Sequence, residues 1–341
     1  MRQLTCTAPG KVEWRDVPAP VLQSDRGAIV RPIAVARCDI DLFLAHGFIP
    51  SKEPFALGHE SVVEIVALGD AVRGLEVGQR AVLSFQLSCG ACRSCLAGHS
   101  GNCDAYPTLS DYGMQPLSGV EYGGALSELV WVPYAGAMLH PIPRSADAVA
   151  FASVSDNVLD GFRAVAPHLD AHPGSEVLIV HHGYPSIPLY AVQAALALGA
   201  SRVDFESDDD ATLAHAARLG AHAVKTDYQK RDRRYPIVVD AGLTNQGLEH
   251  AVRSTEPEGI FQSVSFYRGR GFSVPLGTMY TLGIRFHIGR THAASTLPRV
   301  VPLVLEGKLR PQEVTTKVVE ASDAPAAWLE AATKLVVRMD G

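Results

Sequence analysis

The sequence predicts an α/β protein in two parts, a compact and mostly β domain joined to a doubly wound parallel sheet. Three observations carry this. The chain has 341 residues, enough for two domains with sizeable cores. Residues 1 to about 150 hold short β-type runs broken by Gly and Pro. From Pro173-Gly174-Ser175 onward, apolar strands and helical stretches alternate at the spacing of βαβ units.

In the first part the runs are Ala28-Ile29-Val30, Ser61 to Val66 and Arg80-Ala81-Val82-Leu83. In the second, Glu176 to Val180 is a short apolar strand, a turn with Gly183 and Pro185 follows, and Leu189 to Leu198 reads as a buried helix. Arg202 to Phe205 is the next strand, and Ala211 to Leu219 a helix with Gly220 just past its end. Pro236 to Asp240 and Gly259 to Val264 are further strands. The C-terminal stretches Leu297 to Glu306, Glu313 to Val319 and Ala324 to Leu335 are expected to pack back on the first domain.

Composition narrows the function. With 47% hydrophobic and 19% charged residues the chain is an ordinary globular protein. A formal charge of -6 argues against nucleic acid, because phosphate binding wants a basic face. No apolar run suits a signal peptide or a membrane helix. Four of the six cysteines crowd between Cys89 and Cys103, which reads as metal rather than disulfide and points to the cytoplasm.

Two constellations carry chemistry. Cys89, Cys92, Cys95 and Cys103 have the spacing of a closed tetrahedral zinc site, which stabilises a loop and leaves no open position; the alternative is four reduced, unmetallated thiols. Cys38 and the triplet Gly58-His59-Glu60 offer a soft sulfur, an imidazole and a carboxylate, donors suited to a zinc with an open position. Taken alone, a histidine such as His59 is more often a core or surface residue than a ligand.

Cys38, Gly58-His59-Glu60 and the four-cysteine stretch, in this order, resemble the zinc-dependent alcohol dehydrogenases of the medium-chain dehydrogenase/reductase family. Gly69, Val72, Gly123-Gly124-Ala125, Ser127-Glu128 and Pro173-Gly174 extend the likeness over nearly the whole chain. The resemblance implies a GroES-like catalytic domain (1–154 and 291–341) and a Rossmann-fold cofactor domain (155–290). It also implies hydride transfer between an alcohol, or its aldehyde or ketone, and NAD or NADP. By the same resemblance, two zincs are expected. Cys38, His59 and Asp156 would hold the catalytic one, with Asp160 a competing carboxylate one helical turn on. Glu60 would lie beside the metal as an exchangeable ligand, and Asp41 would orient the His59 ring.

The sequence also departs from the family. Ile40 and Phe43 stand where members carry proton-relay side chains, leaving Asp39, His46, Asp160 or water to serve. Val63 replaces a usual glycine. In the cofactor turn, 180–188, only Gly183 remains of the glycines. Pro185 and the amides of Ser186 and Ile187 would still face pyrophosphate at a helix start. Ser207 aligns with the ribose-binding acid, beside Glu206 and Asp208-Asp209-Asp210. That acidic surround, in which the sequence places no Arg or Lys, favours NAD over NADP. Ala241, Val264, Ser265 and Phe266 occupy strand ends expected near nicotinamide.

Phe48, Phe85, Tyr112 and Phe266 are candidates for the substrate pocket, or equally for core. Family analogy implies a homo-oligomer, a dimer or tetramer, acting on a small molecule without nucleic acid or membrane. Two competing readings keep the fold. One is a non-redox zinc lyase, isomerase or binding protein, motivated by the glycine-poor turn; the other is a quinone-reductase-like protein without catalytic zinc.

Overall fold

The computed structural model describes all residues except 51, 230–232, 268–270 and 340–341. The chain divides into two compact units, one of Met1–Leu159, Thr291–Gly307 and Thr315–Gly341, the other of Asp160–Arg290 and Lys308–Val314.

The first unit is GroES-like and built on a seven-stranded sheet. The strand Ala28–Arg37 lies at its centre, antiparallel to Glu60–Leu68, to Val130–Val132 and to Leu335–Arg338. Its alternation of apolar residues fills one core with Val30, Val63, Ile65, Leu83, Val130 and Met138. Pro32 has no N–H for the ladder, and the register with Glu60–Leu68 shifts there, between Pro32 and Ala34.

Beyond that bulge the register becomes decisive. Ala36 pairs with Glu60 and Arg37 with Leu335. The residues flanking these pairs, Cys38, His59 and Lys334, are therefore delivered to one end of the sheet. A one-residue slip of either strand would turn its side chain to the other face. A separate three-stranded sheet joins Lys11–Asp16, Arg2–Ala8 and Phe55–Ala56.

The second unit is a Rossmann sheet of six parallel strands. In spatial order they are His222–Lys225, Arg202–Ser207, Glu176–His182, Tyr235–Gly242, Thr255–Ser263 and Arg285–His287. Numbered along the chain this is the order 3-2-1-4-5-6 of dinucleotide-binding folds, with the direction of winding changing between Glu176–His182 and Tyr235–Gly242. The central strands read as unbroken apolar runs because both faces are buried; Leu178, Val180, Val238 and Phe261 are at most 0% exposed.

The two outermost strands were not expected from the sequence. His222–Lys225 and Arg285–His287 are short and polar at the sheet edges, so neither shows an apolar period. The C-terminal region also differs in detail. Pro311–Glu313 is a single 3-10 turn, and Ala324–Ala327 a short helix ahead of the strand Leu335–Arg338. Among the described residues no helix is long and apolar enough to cross a membrane.

Candidate metal centre

Two groups of metal-type donors lie in the first unit: Cys38, His59, Glu60 and Asp156, and Cys89, Cys92, Cys95 and Cys103. Within each, one ligand atom per residue lies within 4.8 Å of the others.

Local chemistry positions each donor of the first group. Cys38 begins the helix Asp39–Ala45, and its N–H donates to Asp41 Oδ2 at 2.9 Å. An acidic residue three places into a helix reaches back to the residue that starts it, so the Cys-x-x-Asp spacing fixes both side chains. Gly58 has φ +87, a conformation that L side chains rarely adopt. It turns the chain so that His59 leaves the strand Glu60–Leu68 pointing inward. Gly124 lets a neighbouring segment close on this turn, because a Cβ there would fall 2.2 Å from Leu57 O. Asp156 ends the turn Ala152–Ser155, just before the helix Asn157–Ala171.

The site is dry. His59, Glu60 and Asp41 are 0% exposed, and Cys38 7%. His59 Nε2 faces Asp156 Oδ2 at 3.3 Å, and Nδ1 faces Asp41 Oδ1 at 3.4 Å. The first contact is a hydrogen bond; the second is close but not aligned as one, leaving both atoms without a hydrogen-bond partner. Asn157 Nδ2 donates to Cys38 Sγ and to Asp156 Oδ2, each at 3.1 Å. Lys334, 1% exposed, donates to Asn157 Oδ1 at 2.6 Å and stands 2.8 and 2.7 Å from the two oxygens of Glu60. The Phe85 ring packs 5.6 Å from the His59 ring.

Burial and charge oppose each other here. Burial, then the Asp156 carboxylate, pushes the Cys38 thiol up to about 12. Burial would lower His59, but Asp41 and the Asp156 hydrogen bond hold it well above its ordinary value. Burial would raise Asp156, yet its hydrogen bond and charge interaction with His59 hold it below the usual carboxylate range. Burial lifts Glu60 to about 8 against the pull of Lys334. Sulfur, imidazole and carboxylate lone pairs converging in a dry pocket fit a divalent cation, which supplies the charge that burial denies them.

Of the two acidic residues competing by sequence, Asp156 joins this group. Asp160 instead pairs with Arg163 in the second unit. Ile40 and Phe43 carry no transferable proton, and His46 Nε2 contacts Leu329 O at 3.3 Å. Lys334 and Asn157 were missed. Asn157 had its place beside Asp156 as a signal; Lys334, 274 residues from Glu60, had none.

The four cysteines form a local cluster with no disulfide. Backbone N–H groups of Ala91 and Cys92 donate to Cys89 Sγ, those of Cys95 and Asp104 to Cys92 Sγ, and that of Cys89 to Cys103 Sγ, at 3.3 to 3.5 Å. The Cys95 and Asp104 amides pull the Cys92 thiol down to about 7. Sulfurs collected by amide donors fit a closed thiolate site.

In the second unit the turn follows the strand Glu176–His182. Gly183 has φ +119, and the twelve-residue helix Ser186–Ala197 starts after Pro185, which offers no capping side chain. A helix N-terminus thus stands at the end of the first strand, with Gly183 the one glycine in the turn before it. Pro188 fits because the first turn of a helix makes no use of its N–H. Ser207 is 0% exposed, with its hydroxyl against His181 Nδ1 at 3.0 Å. Asp208, Asp209 and Asp210 are all exposed; Asp209 accepts from the Thr212 amide, and Asp208, next to Ser207, is held by His182 Nδ1 at 3.2 Å and the Tyr228 hydroxyl at 3.3 Å.

One expectation is corrected. A cation does stand near the acidic stretch, since Lys225 pairs with Asp210 at 2.7 Å; strand pairing of Ser207 with Lys225 brings it there from outside the local sequence. At the ends of the later strands Ala241 and Val264 are buried, Ser265 Oγ donates to Gly242 O, and Phe266 is 50% exposed.

Residues 24–144 match the family model of the alcohol dehydrogenase GroES-like domain. The chain is 27% identical to the probable zinc-binding alcohol dehydrogenase of Mycobacterium tuberculosis, over 97% of this chain and 85% of that protein. It is 30% identical to a medium chain reductase/dehydrogenase of an Acremonium species, over 65% of this chain and 74% of that one. Among solved structures, the alcohol dehydrogenase TADH from Thermus sp. ATN1 superposes with a TM-score of 0.91 at 25% identity, covering 100% of both chains.

Proposed function

Because the chain belongs to the medium-chain dehydrogenase/reductase family of zinc-type alcohol dehydrogenases, we propose that it transfers a hydride between an alcohol, or its aldehyde or ketone, and a nicotinamide cofactor. The observation that carries this reading is the buried convergence of Cys38, His59 and Asp156, three donors from distant segments. Zinc, when bound, acts as a Lewis acid on the substrate oxygen and makes hydride loss from the alcohol feasible.

The chain's own residues do the rest. Cys38, His59 and Asp156 would hold the ion. Asp41 faces His59 Nδ1 and so selects the ring orientation that presents Nε2. Lys334 holds Glu60, which would serve the ion as an exchangeable ligand. Phe85 packs its ring against that of His59 and helps keep it buried. Ile40 and Phe43 stand in place of relay groups and carry no proton to pass. Cys89, Cys92, Cys95 and Cys103 would hold a second, structural zinc.

In the second unit, the amides of Ser186 and Ile187 take the pyrophosphate. Asp208 takes the adenosine ribose in place of the buried Ser207 and favours NAD, whose free 2'-hydroxyl donates to a carboxylate that would repel a 2'-phosphate. Lys225 is already engaged by Asp210. Ala241, Val264, Ser265 and Phe266 border the nicotinamide. The first unit supplies the catalytic domain and the second the cofactor domain. Arg285–His287 leaves one backbone edge of its sheet unpaired among the described residues, with Ile288 61% exposed beside it, which suits a homo-oligomer. Six cysteines with no disulfide among them suit the reducing cytoplasm.

Titrating the zinc-loaded protein with NADH and NADPH, read by cofactor fluorescence, tests this. Saturable binding at roughly micromolar levels, tighter for NADH, is expected. A screen of primary, secondary and cyclic alcohols then identifies substrate. Binding of neither cofactor would favour the non-redox reading that the glycine-poor turn suggests.

A further inference from the structure

We infer that Asn157 is a positioning residue that sets how much charge the Cys38 thiolate gives the metal, with Lys334 fixing its orientation. The inference rests on the zinc reading of the Cys38 centre. Asn157 is 0% exposed and sits among groups that leave its amide one orientation. A lysine ammonium can only donate. With Lys334 Nζ 2.6 Å away, the atom facing it is the acceptor Oδ1. Nδ2 therefore faces the other way, and its two hydrogens meet Cys38 Sγ and Asp156 Oδ2. One amide thus donates to two of the three residues that would hold the ion, and accepts from a buried cation.

The consequence is electronic as well as geometric. A hydrogen bond to sulfur withdraws electron density that the thiolate would otherwise give the metal, and the metal becomes the stronger Lewis acid. The Lys334 ammonium polarises the amide and strengthens the N–H donors on its far side. Lys334 also holds Glu60, so one cation serves both the exchangeable carboxylate and the amide behind the ligands. An apolar residue at 157 would pack but would leave Cys38 and Asp156 unmodulated, and Lys334 with one partner fewer.

The test uses the full chain with cobalt in place of zinc, recorded as a difference against cobalt-treated Cys38→Ser protein so that only this centre contributes. The native protein should give a sulfur-to-cobalt charge-transfer band. In Asn157→Leu that band should move to longer wavelength, because sulfur without its N–H partner gives up charge more readily. The kcat should fall by roughly 10- to 100-fold, the usual cost of losing a ligand's supporting hydrogen bond, with KM for the cofactor unchanged. Asn157→Asp, of the same size and still able to pair with Lys334, should shift the band in the same direction, and it carries the test if the leucine variant does not fold. A band at the native wavelength in a folded variant overturns the role of Asn157 while leaving the zinc centre standing. Absence of the band in the native protein overturns the zinc reading, and this inference with it.

Discussion

The Cys38 centre and the four-cysteine lobe belong to the same unit, yet they are built by opposite means. The lobe draws its donors from fifteen consecutive residues, Cys89 to Cys103, and its sulfurs are collected by neighbouring backbone amides. The Cys38 centre draws its donors from three segments, at Cys38, at His59 and Glu60, and at Asp156, and side chains rather than amides support it. Cys89, Cys92 and Cys95 are only half-buried, whereas His59 and Glu60 are sealed. The difference teaches that a closed structural site needs only local spacing. A site with a reactive position needs a dry pocket, which only long-range packing makes.

Removing a ligand from each centre should break the comparison most sharply. Cys38→Ala or His59→Ala is expected to lower zinc content from two per chain to one and to cut alcohol oxidation by about 10³-fold or more, since several kcal/mol of charge stabilisation disappears. Atomic absorption and steady-state rates read this; full activity in either variant would sink the assignment. The paired change Cys92→Ser and Cys103→Ser should remove the other zinc and lower Tm by about 5–10 °C, at about 2–4 °C for each kcal/mol lost. The rate per remaining zinc should stay close to native. Lost activity with unchanged Tm would reverse the roles of the two centres.

A smaller effect separates burial from charge. His59 is held above its ordinary value by carboxylates, whereas His140, mostly buried in the same unit, is pushed down to about 4 by burial against a backbone hydrogen bond at Ala137. In the window between the ordinary histidine value of about 6.5 and 4, the unfolded chain binds a proton at His140 that the folded chain refuses. Stability therefore falls as pH drops through that window and is fully present above it. His140→Phe should make this fall shallower by at most about 1.4 kcal/mol per pH unit, measured by urea unfolding at pH 7, 6 and 5. An unchanged slope would mean that His140 is hydrated.

Much of this was legible. Cys89 to Cys103 announced their grouping because ligand spacing is a local property. Gly58-His59-Glu60 could be read because its glycine and its paired donors are adjacent. The strands Glu176–His182 and Tyr235–Gly242 were visible as apolar runs. The family resemblance preferred Asp156 to Asp160, but spacing alone does not separate two carboxylates near a helix start. The choice was decided by which one the turn Ala152–Ser155 directs at His59, the other pairing with Arg163. Lys225 escaped notice for the same kind of reason, since strand pairing and not sequence proximity sets it beside Asp210.

The sequence alone determined the two-part α/β plan, the four-thiol lobe and the donor types of the Cys38 centre, because apolar period and ligand spacing act over a few residues. Tertiary structure alone decided that Glu60 answers to Lys334, that Asn157 lies between that cation and Cys38, and that Ser207 is buried while Asp208 is accessible. The physical reason is sheet register. Pairing Ala36 with Glu60 and Arg37 with Leu335 brings the ends of three distant strands together, and no short stretch of chain encodes that meeting.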